Sequence, residues 1–585
     1  MASEQAYGVT PPISVALPTE AEIRVSNALI EELKNQKTFE SPADTAKREQ
    51  VLQSIQTICD EFVRRVAKEK EPNNEVLIRN ARGKVFTYGS YRLGVFGPGS
   101  DIDTLIIAPK YVTREDYFTH FPDLLVAMAP KGAITDLTVV TDAFVPIIKF
   151  DLKDSSLLRG LDEAELRSLN GTRVTDEILD LVPEKKTFKL ALRAIKLWAQ
   201  RRAVYANIMG FPGGVAWAML VARVCQLYPK ADTSVIVNKF FLVMSQWRWP
   251  QPVLLKPIEN GPLPVRVWNP KVYKGDSFHL MPVITPAYPS MCATFNITRS
   301  SMTIIRRELK RALDLSENIM IGKNPWSDLF VKHTFFTAGF KYYISVISAS
   351  KTKENHKIWS GYVESKVRML VQKLEQHASI SLARPFNKGY ERRHRCKNES
   401  EIEQVQEGSL EFLVTDDCVN QAEVKSETGT DGHIKSEPTE EAKIKAEPME
   451  EDGPAKAEPV PDGLIKSEPG EDVKPSVNSS LTEIYTSTHY IGLELDVGAK
   501  SLDLSYEVDD FKTLCTQWQK YKDDLKDFVS IGVQHVRNFN LPDDVFEPGE
   551  KKPQKKSGGK KRPPSEGNPP PTAKRQQQTS VAAAG

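Results

Sequence analysis

The sequence predicts an α+β multidomain protein, and three observations carry that reading. The chain is 585 residues long, enough for three or four domains of ordinary size. Its first 150 residues alternate strand-like and helical patterns, whereas the residues after Thr187 are dominated by helical periodicity. The charge is also segregated. A net charge of +1 hides −16 from Glu399 to Asp472 and +8 from Lys551 onward, so the remaining body is moderately basic. That balance suits a polyanionic partner handled by the body.

Several classes are disfavoured. The best apolar run, Val215 to Ala222, stops at Arg223, far short of a membrane span. The N-terminus has no basic-then-apolar signal. Six cysteines without a CxxC pair argue against a disulfide framework or a zinc ribbon. The expectation is a soluble, intracellular chain without a membrane partner.

In chain order, Ala43–Lys70 predicts a helix with Val51, Ile55, Ile58, Phe62 and Val66 on one core-facing stripe. Val85–Tyr88 is strand-like and ends at Gly89-Ser90. A loop with Gly94, Gly97 and Gly99 leads to Asp101-Ile102-Asp103 and the strand-like Thr104–Ile107. Thr113 caps a helix to Ala129, and strands are expected at Leu137–Thr141 and Phe144–Phe150. Helices follow at Phe188–Ala199, Gly214–Leu227, Thr298–Lys310 and Glu364–Gln376, with Pro-rich loops between Trp249 and Pro289. Residues 397–478 lose aromatics, gain acids, and read as a disordered insertion within one C-terminal domain. A strand at Thr488–Asp496 and a helix at Asp509–Lys526 resume the order before a basic, Pro-rich tail.

The chemistry concentrates at Gly89-Ser90 and Asp101-Ile102-Asp103. On a strand, residues two apart share a face, so Asp101 and Asp103 converge and repel unless a cation lies between them. Mg²⁺ fits, since it takes a few carboxylate oxygens and completes its shell with phosphate and water. The Gly-Ser turn can offer N–H groups and a hydroxyl to a triphosphate.

That arrangement resembles the DNA polymerase beta-like nucleotidyltransferases, and longer segments narrow the match. Tyr88-Gly-Ser-Tyr-Arg-Leu-Gly94, Gly97-Pro-Gly-Ser-Asp-Ile-Asp-Thr104, Arg167-Ser-Leu-Asn-Gly-Thr-Arg-Val-Thr-Asp-Glu177, Phe211-Pro-Gly-Gly-Val-Ala-Trp217, Pro282-Val-Ile-Thr-Pro-Ala-Tyr-Pro289 and Trp359-Ser-Gly-Tyr-Val-Glu-Ser-Lys366 resemble nuclear poly(A) polymerases. The resemblance runs from about Leu17 to Lys388 and returns around Tyr490–Val545. It implies a nucleotidyltransferase palm at 1–186, a helical middle domain at 187–333, and an RNA-binding domain at 334–545. The last would resemble an RNA-recognition-motif fold, interrupted by the disordered acidic insertion 397–478; a disordered basic tail, 546–585, follows.

The resemblance further implies template-independent addition of AMP from ATP to an mRNA 3′-hydroxyl, using two Mg²⁺ or Mn²⁺ ions held by Asp101 and Asp103. Tyr88, Gly89, Ser90, Ser100 and Ile102 would flank the nucleotide. Lys196 would reach the triphosphate with Tyr205 beside it, Asn207 and Thr285 would read adenine, and Gly214-Val215 would pack on the base. A nuclear monomer working with the RNA 3′ end and the cleavage and polyadenylation machinery is expected. One departure stands out. Relatives carry a third metal-binding aspartate on a strand after the segment matching Val145–Phe150, but here Phe150 runs directly into Asp151-Leu-Lys-Asp154. A hairpin's length of chain is missing, which makes an RNA-binding scaffold with impaired catalysis the alternative reading.

Two further patterns are not explained by the nucleotidyltransferase site. Val424-Lys-Ser-Glu427, Ile434-Lys-Ser-Glu437, Ile444-Lys-Ala-Glu447, Ala455-Lys-Ala-Glu458 and Ile465-Lys-Ser-Glu468 repeat through the acidic stretch. They are similar to the SUMO acceptor motif, with Lys425, Lys435, Lys445, Lys456 and Lys466 as acceptors. The tail clusters Lys560-Lys-Arg562 and Lys574-Arg575 read as nuclear localisation or RNA contact.

With no aromatic-rich signature for reading bases, RNA affinity should rest on Lys/Arg–phosphate contacts. Oligo(A) binding is therefore expected to weaken steeply as salt is raised; a titration showing affinity flat in salt would contradict this.

Overall fold

The computed structural model describes residues 7–134, 137, 163–261, 265–414, 481–499 and 502–555. Helix α1 (Glu20–Asn35) starts at a reciprocal cap between Thr19 and Glu22. Helix α2 (Pro42–Lys70) is capped by Ser41, with proline at its first turn. Ile58, Phe62 and Val66 are buried as expected, but Val51 is 49% exposed. The stripe is therefore core-facing only in its second half, because α2 outruns the small domain it covers. That core is closed by Phe121 on α5 (Arg114–Met128), capped by Thr113 and Asp116, with the rings of Phe62 and Phe121 edge to face.

Between these helices, β1 (Lys84–Thr87) and β2 (Thr104–Ile107) pair antiparallel, Thr87 opposite Thr104. The short helix α4 (Gly89–Leu93) lies between them, after α3 (Glu75–Asn80). The acidic pair precedes the strand rather than lying on it, since β2 begins at Thr104. Asp103 nevertheless extends the ladder, its carbonyl accepting the Tyr88 N–H at 3.1 Å. The expected strands at Leu137–Thr141 and Phe144–Phe150, and with them Asp151 and Asp154, lie outside the described residues apart from Leu137, which is irregular.

Helix α6 (Glu163–Leu181) leads into α7 (Lys185–Arg201), α8 (Gly214–Leu227), α9 (Thr233–Gln246) and α10 (Arg299–Met320). Helix α8 is buried on every side beyond its first turn, as its unbroken apolar run requires. Trp198, Trp217, Phe240 and Phe241 interlock there with ring centroids 5.0–6.2 Å apart. The Trp249–Pro289 stretch is largely irregular, tied by isolated bridges such as Val253 to Val283.

The C-terminal part runs β3 (Tyr342–Ser350), α11 (Lys353–Leu374), β4 (Ile380–Pro385), β5 (Tyr390–Cys396), α12 (Glu399–Gln406), β6 (Thr482–Leu495), α13 (Ser505–Thr516) and β7 (Val529–Arg537). The sheet order is β4-β6-β3-β7, all antiparallel, with β5 paired to the other half of β6. Omitting β5 and α12, this is the β-α-β-β-α-β order expected of an RNA-recognition-motif-like domain. The expected helix Asp509–Lys526 is shorter, ending at Thr516 before a separate turn at Tyr521–Leu525.

The acidic insertion begins later than its composition suggests. Asn398 caps α12, and Ile402 and Val405 are buried against Ala349, Cys396 and Ile484. Arg395 N–H donates to the Phe412 carbonyl and Val414 N–H to that of Arg393, so the chain is folded to Val414. Two apolar residues three apart suffice to dock one helical face, however acidic the other face is. Residues 415–480, which hold all five Lys-x-Glu motifs, lie outside the described residues.

The middle and C-terminal parts meet at a buried ion pair. Arg202 engages Glu308 through both forks, at 2.8 and 3.0 Å, and also donates to the carbonyls of Val331 and Lys332. Arg384 in β4 donates to the Arg202 carbonyl at 2.8 Å. Glu375, just past α11, accepts from Thr298 and from the Ser300 N–H at the start of α10.

Ile402→Ala is expected to cost about 2–5 kcal/mol in denaturant unfolding, because it empties a closed cluster. Deletion of Glu399–Asp472 should likewise lower stability; an unchanged unfolding midpoint would show that α12 is dispensable.

Candidate active site

The site lies where the β1–β2 loop meets the middle helices. Tyr88 precedes α4 in extended conformation, and Gly89 follows with φ +62°. Glycine is required there twice over. The angle favours it, and a Cβ would collide with Asp103 Oδ2. The Gly89-Ser90 turn thus lies directly against the carboxylate. Ser90 opens α4 with Gly89, and its carbonyl accepts from Val95. Ser100 closes the next turn, its hydroxyl accepting from Gly97 N–H at 3.0 Å, immediately before Asp101. Ile102 is half-buried between the two aspartates.

Asp101 is exposed and Asp103 half-buried. Burial first, and then the neighbouring Asp101, raise the Asp103 pKa above the usual carboxylate value, against the pull of Lys196. Lys196 comes from α7, more than ninety residues on in the chain. Burial and then Arg193 lower its pKa, while Asp101 and Asp103 oppose that shift. The hydroxyls of Tyr205 and Tyr88 are both pushed up by burial and then by the same two aspartates. Five predicted residues therefore share one electrostatic neighbourhood.

Glycines again set the spacing. A Cβ on Gly214, the first residue of α8, would stand 2.7 Å from the Tyr205 hydroxyl, and one on Gly171 of α6 would stand 3.1 Å from the Tyr88 ring. Asn207 lies in the turn before α8, and its side-chain oxygen is buried without a hydrogen-bond partner. An unsatisfied buried acceptor is costly and suits a ligand donor. Val215 packs at the edge of the main core. Thr285 is engaged locally, its hydroxyl accepting from Met291 N–H at 2.9 Å, and the Asn207 oxygen takes no hydrogen bond from it.

The donor set fits a divalent cation. Two adjacent carboxylates, one held half-buried against its own repulsion, are relieved by positive charge between them. Among the described residues no group of three or more His, Cys, Asp or Glu could hold a metal ion, so the pair is what the described chain offers. Arg193 was not among the residues expected at the site. Its signal in the sequence is a spacing of three from Lys196, which places both on one helical face.

Comparison with known proteins finds relatives over the length of the chain. Family models for the poly(A) polymerase central domain and the poly(A) polymerase predicted RNA-binding domain match residues 187–332 and 334–555. The model for the poly(A) polymerase nucleotidyltransferase domain matches in two pieces, 8–153 and 149–182. The chain is 46% identical to poly(A) polymerase pla1 of Schizosaccharomyces pombe, over 94% of this chain and 95% of that protein. It is 44% identical to poly(A) polymerase PAPa of Candida albicans over the same shares. Among solved structures it is similar over 53% of its length, and over 99% of that chain, to Cid1 in complex with its short product ApU, at 13% identity and TM-score 0.35. Among the described residues no helix is long and apolar enough to cross a membrane.

Because the folded state raises the Asp103 pKa, the stability linked to that group is present at acidic pH and is lost as pH rises through the folded value. Asp103→Asn is therefore expected to raise the melting midpoint at neutral pH in chelator, and to abolish the stabilisation given by Mg-ATP. Thermal melts of both chains, with and without Mg-ATP, check the two signs.

Proposed function

The chain belongs to the poly(A) polymerase family, a group of nucleotidyltransferases, and on that footing we propose that Asp101, Asp103, Lys196, Tyr205 and Asn207 form its adenylyl-transfer site. The observation that carries this is the electrostatic meeting of Lys196 with the Asp101/Asp103 pair across two parts of the chain. A triphosphate brings negative charge that Lys196 can pair, and its cation brings the positive charge that the aspartates lack.

Asp101 and Asp103 would hold Mg²⁺ or Mn²⁺. The ions supply charge neutralisation on the leaving pyrophosphate and a lowered pKa for the attacking RNA 3′-hydroxyl. Lys196, its ammonium desolvated and facing the carboxylates, orients the triphosphate. Gly89 and Ser90 line the same turn. Tyr205 and Tyr88 keep their protons at neutral pH, because burial and the aspartates raise their pKa values, so each can donate a hydrogen bond. The orphaned Asn207 oxygen accepts from the adenine amino group, which uracil and cytosine do not present in the same place. Thr285 and Val215 complete the base contact. Residues 1–186, 187–333 and 334–545 act as palm, middle and RNA-binding domains. The basic tail directs the chain to the nucleus, where as a monomer it extends mRNA 3′ ends with the processing machinery, and the acidic repeats accept SUMO at Lys425, Lys435, Lys445, Lys456 and Lys466.

A second reading has its own support. The nucleotidyltransferase match falls into two pieces that meet at residues 149–153, the place where the resemblance implies that a third-aspartate strand is missing. Losing one metal site costs several kcal/mol of transition-state stabilisation, which is about a thousandfold in rate.

Primer extension separates the readings. With Mg²⁺ or Mn²⁺ and each nucleoside triphosphate in turn, the chain should use ATP only. A version with the hairpin restored should extend about a thousandfold faster. Equal use of all four nucleotides would overturn the adenine pocket, and equal rates for the two chains would overturn the need for the missing strand.

A further inference from the structure

Arg193 lies on α7 one turn before Lys196 and is half-buried. Its hydrogen bonds run to main-chain carbonyls of another part of the molecule. One guanidinium nitrogen donates to Thr38 O and Phe96 O, both at 2.7 Å, and the second donates to Gly94 O at 3.2 Å. The guanidinium also lies 4.7 Å from the Phe39 ring centroid. Thr38 and Phe39 form the link between α1 and α2; Gly94 and Phe96 begin the loop that ends at Asp101.

The two carbonyl-bearing segments also touch each other. A Cβ on Gly97 would stand 2.8 Å from the Thr38 carbonyl, so the loop can lie against the link only with glycine there. From Gly97 the chain makes one closed turn to Ser100 and reaches the aspartates. We propose that Arg193 is a positioning residue for adenylyl transfer: its fork fixes the loop carrying Asp101 and Asp103 to the helix carrying Lys196. The inference rests on the site assignment above and extends it to a residue whose hydrogen bonds go to main-chain carbonyls.

Arginine suits the task because three acceptors on two segments need a planar fork, which lysine does not have. Its charge has a separate role. No carboxylate takes up Arg193 in a hydrogen bond among the described residues, so its charge adds to that of Lys196 one turn away and favours a polyphosphate. Charge and fork can thus be separated by substitution. Reacting groups displaced by about 1 Å lose about a hundredfold in rate.

The test uses the full chain, Arg193→Ala and Arg193→Lys, with Mg-ATP affinity and the rate of oligo(A) extension at saturating Mg-ATP as readouts. Arg193→Ala is expected to weaken Mg-ATP binding about tenfold and slow extension about a hundredfold. Arg193→Lys keeps the charge and loses the fork. It should bind Mg-ATP within about threefold of the parent and still extend about tenfold slower. A lysine variant at parental rate overturns the proposal, as does a lowered melting midpoint with unaltered rate. If the alanine variant does not fold, the lysine variant alone decides. Failure of the parent chain to bind Mg-ATP would sink the site assignment itself, and this proposal with it.

Discussion

Two carboxylates that repel each other, one of them half out of water, must be kept close together within reach of an ammonium from a distant helix. Much of the surrounding structure follows from that constraint. Gly89 is forced because the turn before α4 passes against the Asp103 oxygen. The Asp103 carbonyl is held by Tyr88, which extends the β1–β2 ladder beyond its last strand residue. Burial makes the arrangement costly without a ligand, since it raises the proton affinity of Asp103 and lowers that of Lys196. On the proposed assignment both groups gain when a polyphosphate and its cation arrive together, which would tune the site to the pair of ligands rather than to either alone.

That tuning needs a rigid frame. Helix α7 is sealed on its inner face by Phe188, Leu192, Ile195 and Trp198, all fully buried. Its C-terminal end passes straight into Arg202, which is clamped to Glu308 and to two carbonyls ahead of β3. Such a buried pair adds little net stability over an apolar replacement, but removing one partner strands the other charge. Its consequence here is geometric. The residue that ends the helix bearing Lys196 is thus held within the central part, its carbonyl accepts from Arg384 of β4, and the helix is tied along its outer face to the loop that leads to the aspartates.

The acidic insertion shows how composition can mislead locally. Between Glu399 and Val414 the charge pattern resembles that of the following repeats, yet the chain pairs with β5 and docks a helix. Ile402 and Val405 are enough because the hollow they fill, beside Cys396 and Ile484, already exists on the sheet.

The sequence by itself determined the family and the fold class, and it pointed to the aspartates, Lys196, Tyr205 and Asn207 as the proposed site. These are legible because catalysis constrains residue type at fixed spacing: Gly-Ser, an acidic pair two apart, a glycine pair opening a helix. The cap at Thr113 was legible for a similar reason, since a cap is a contact between near neighbours in the chain. What only the tertiary structure decided involves partners far apart. Val51 is exposed because the domain beneath α2 is shorter than the helix, and no local pattern records a domain's width. The Asn207 oxygen is orphaned, and Arg193 grips Thr38, because of how separate segments pack. A side chain's chemistry is written in the sequence, but the distance to a residue a hundred positions away is set by the packing between them.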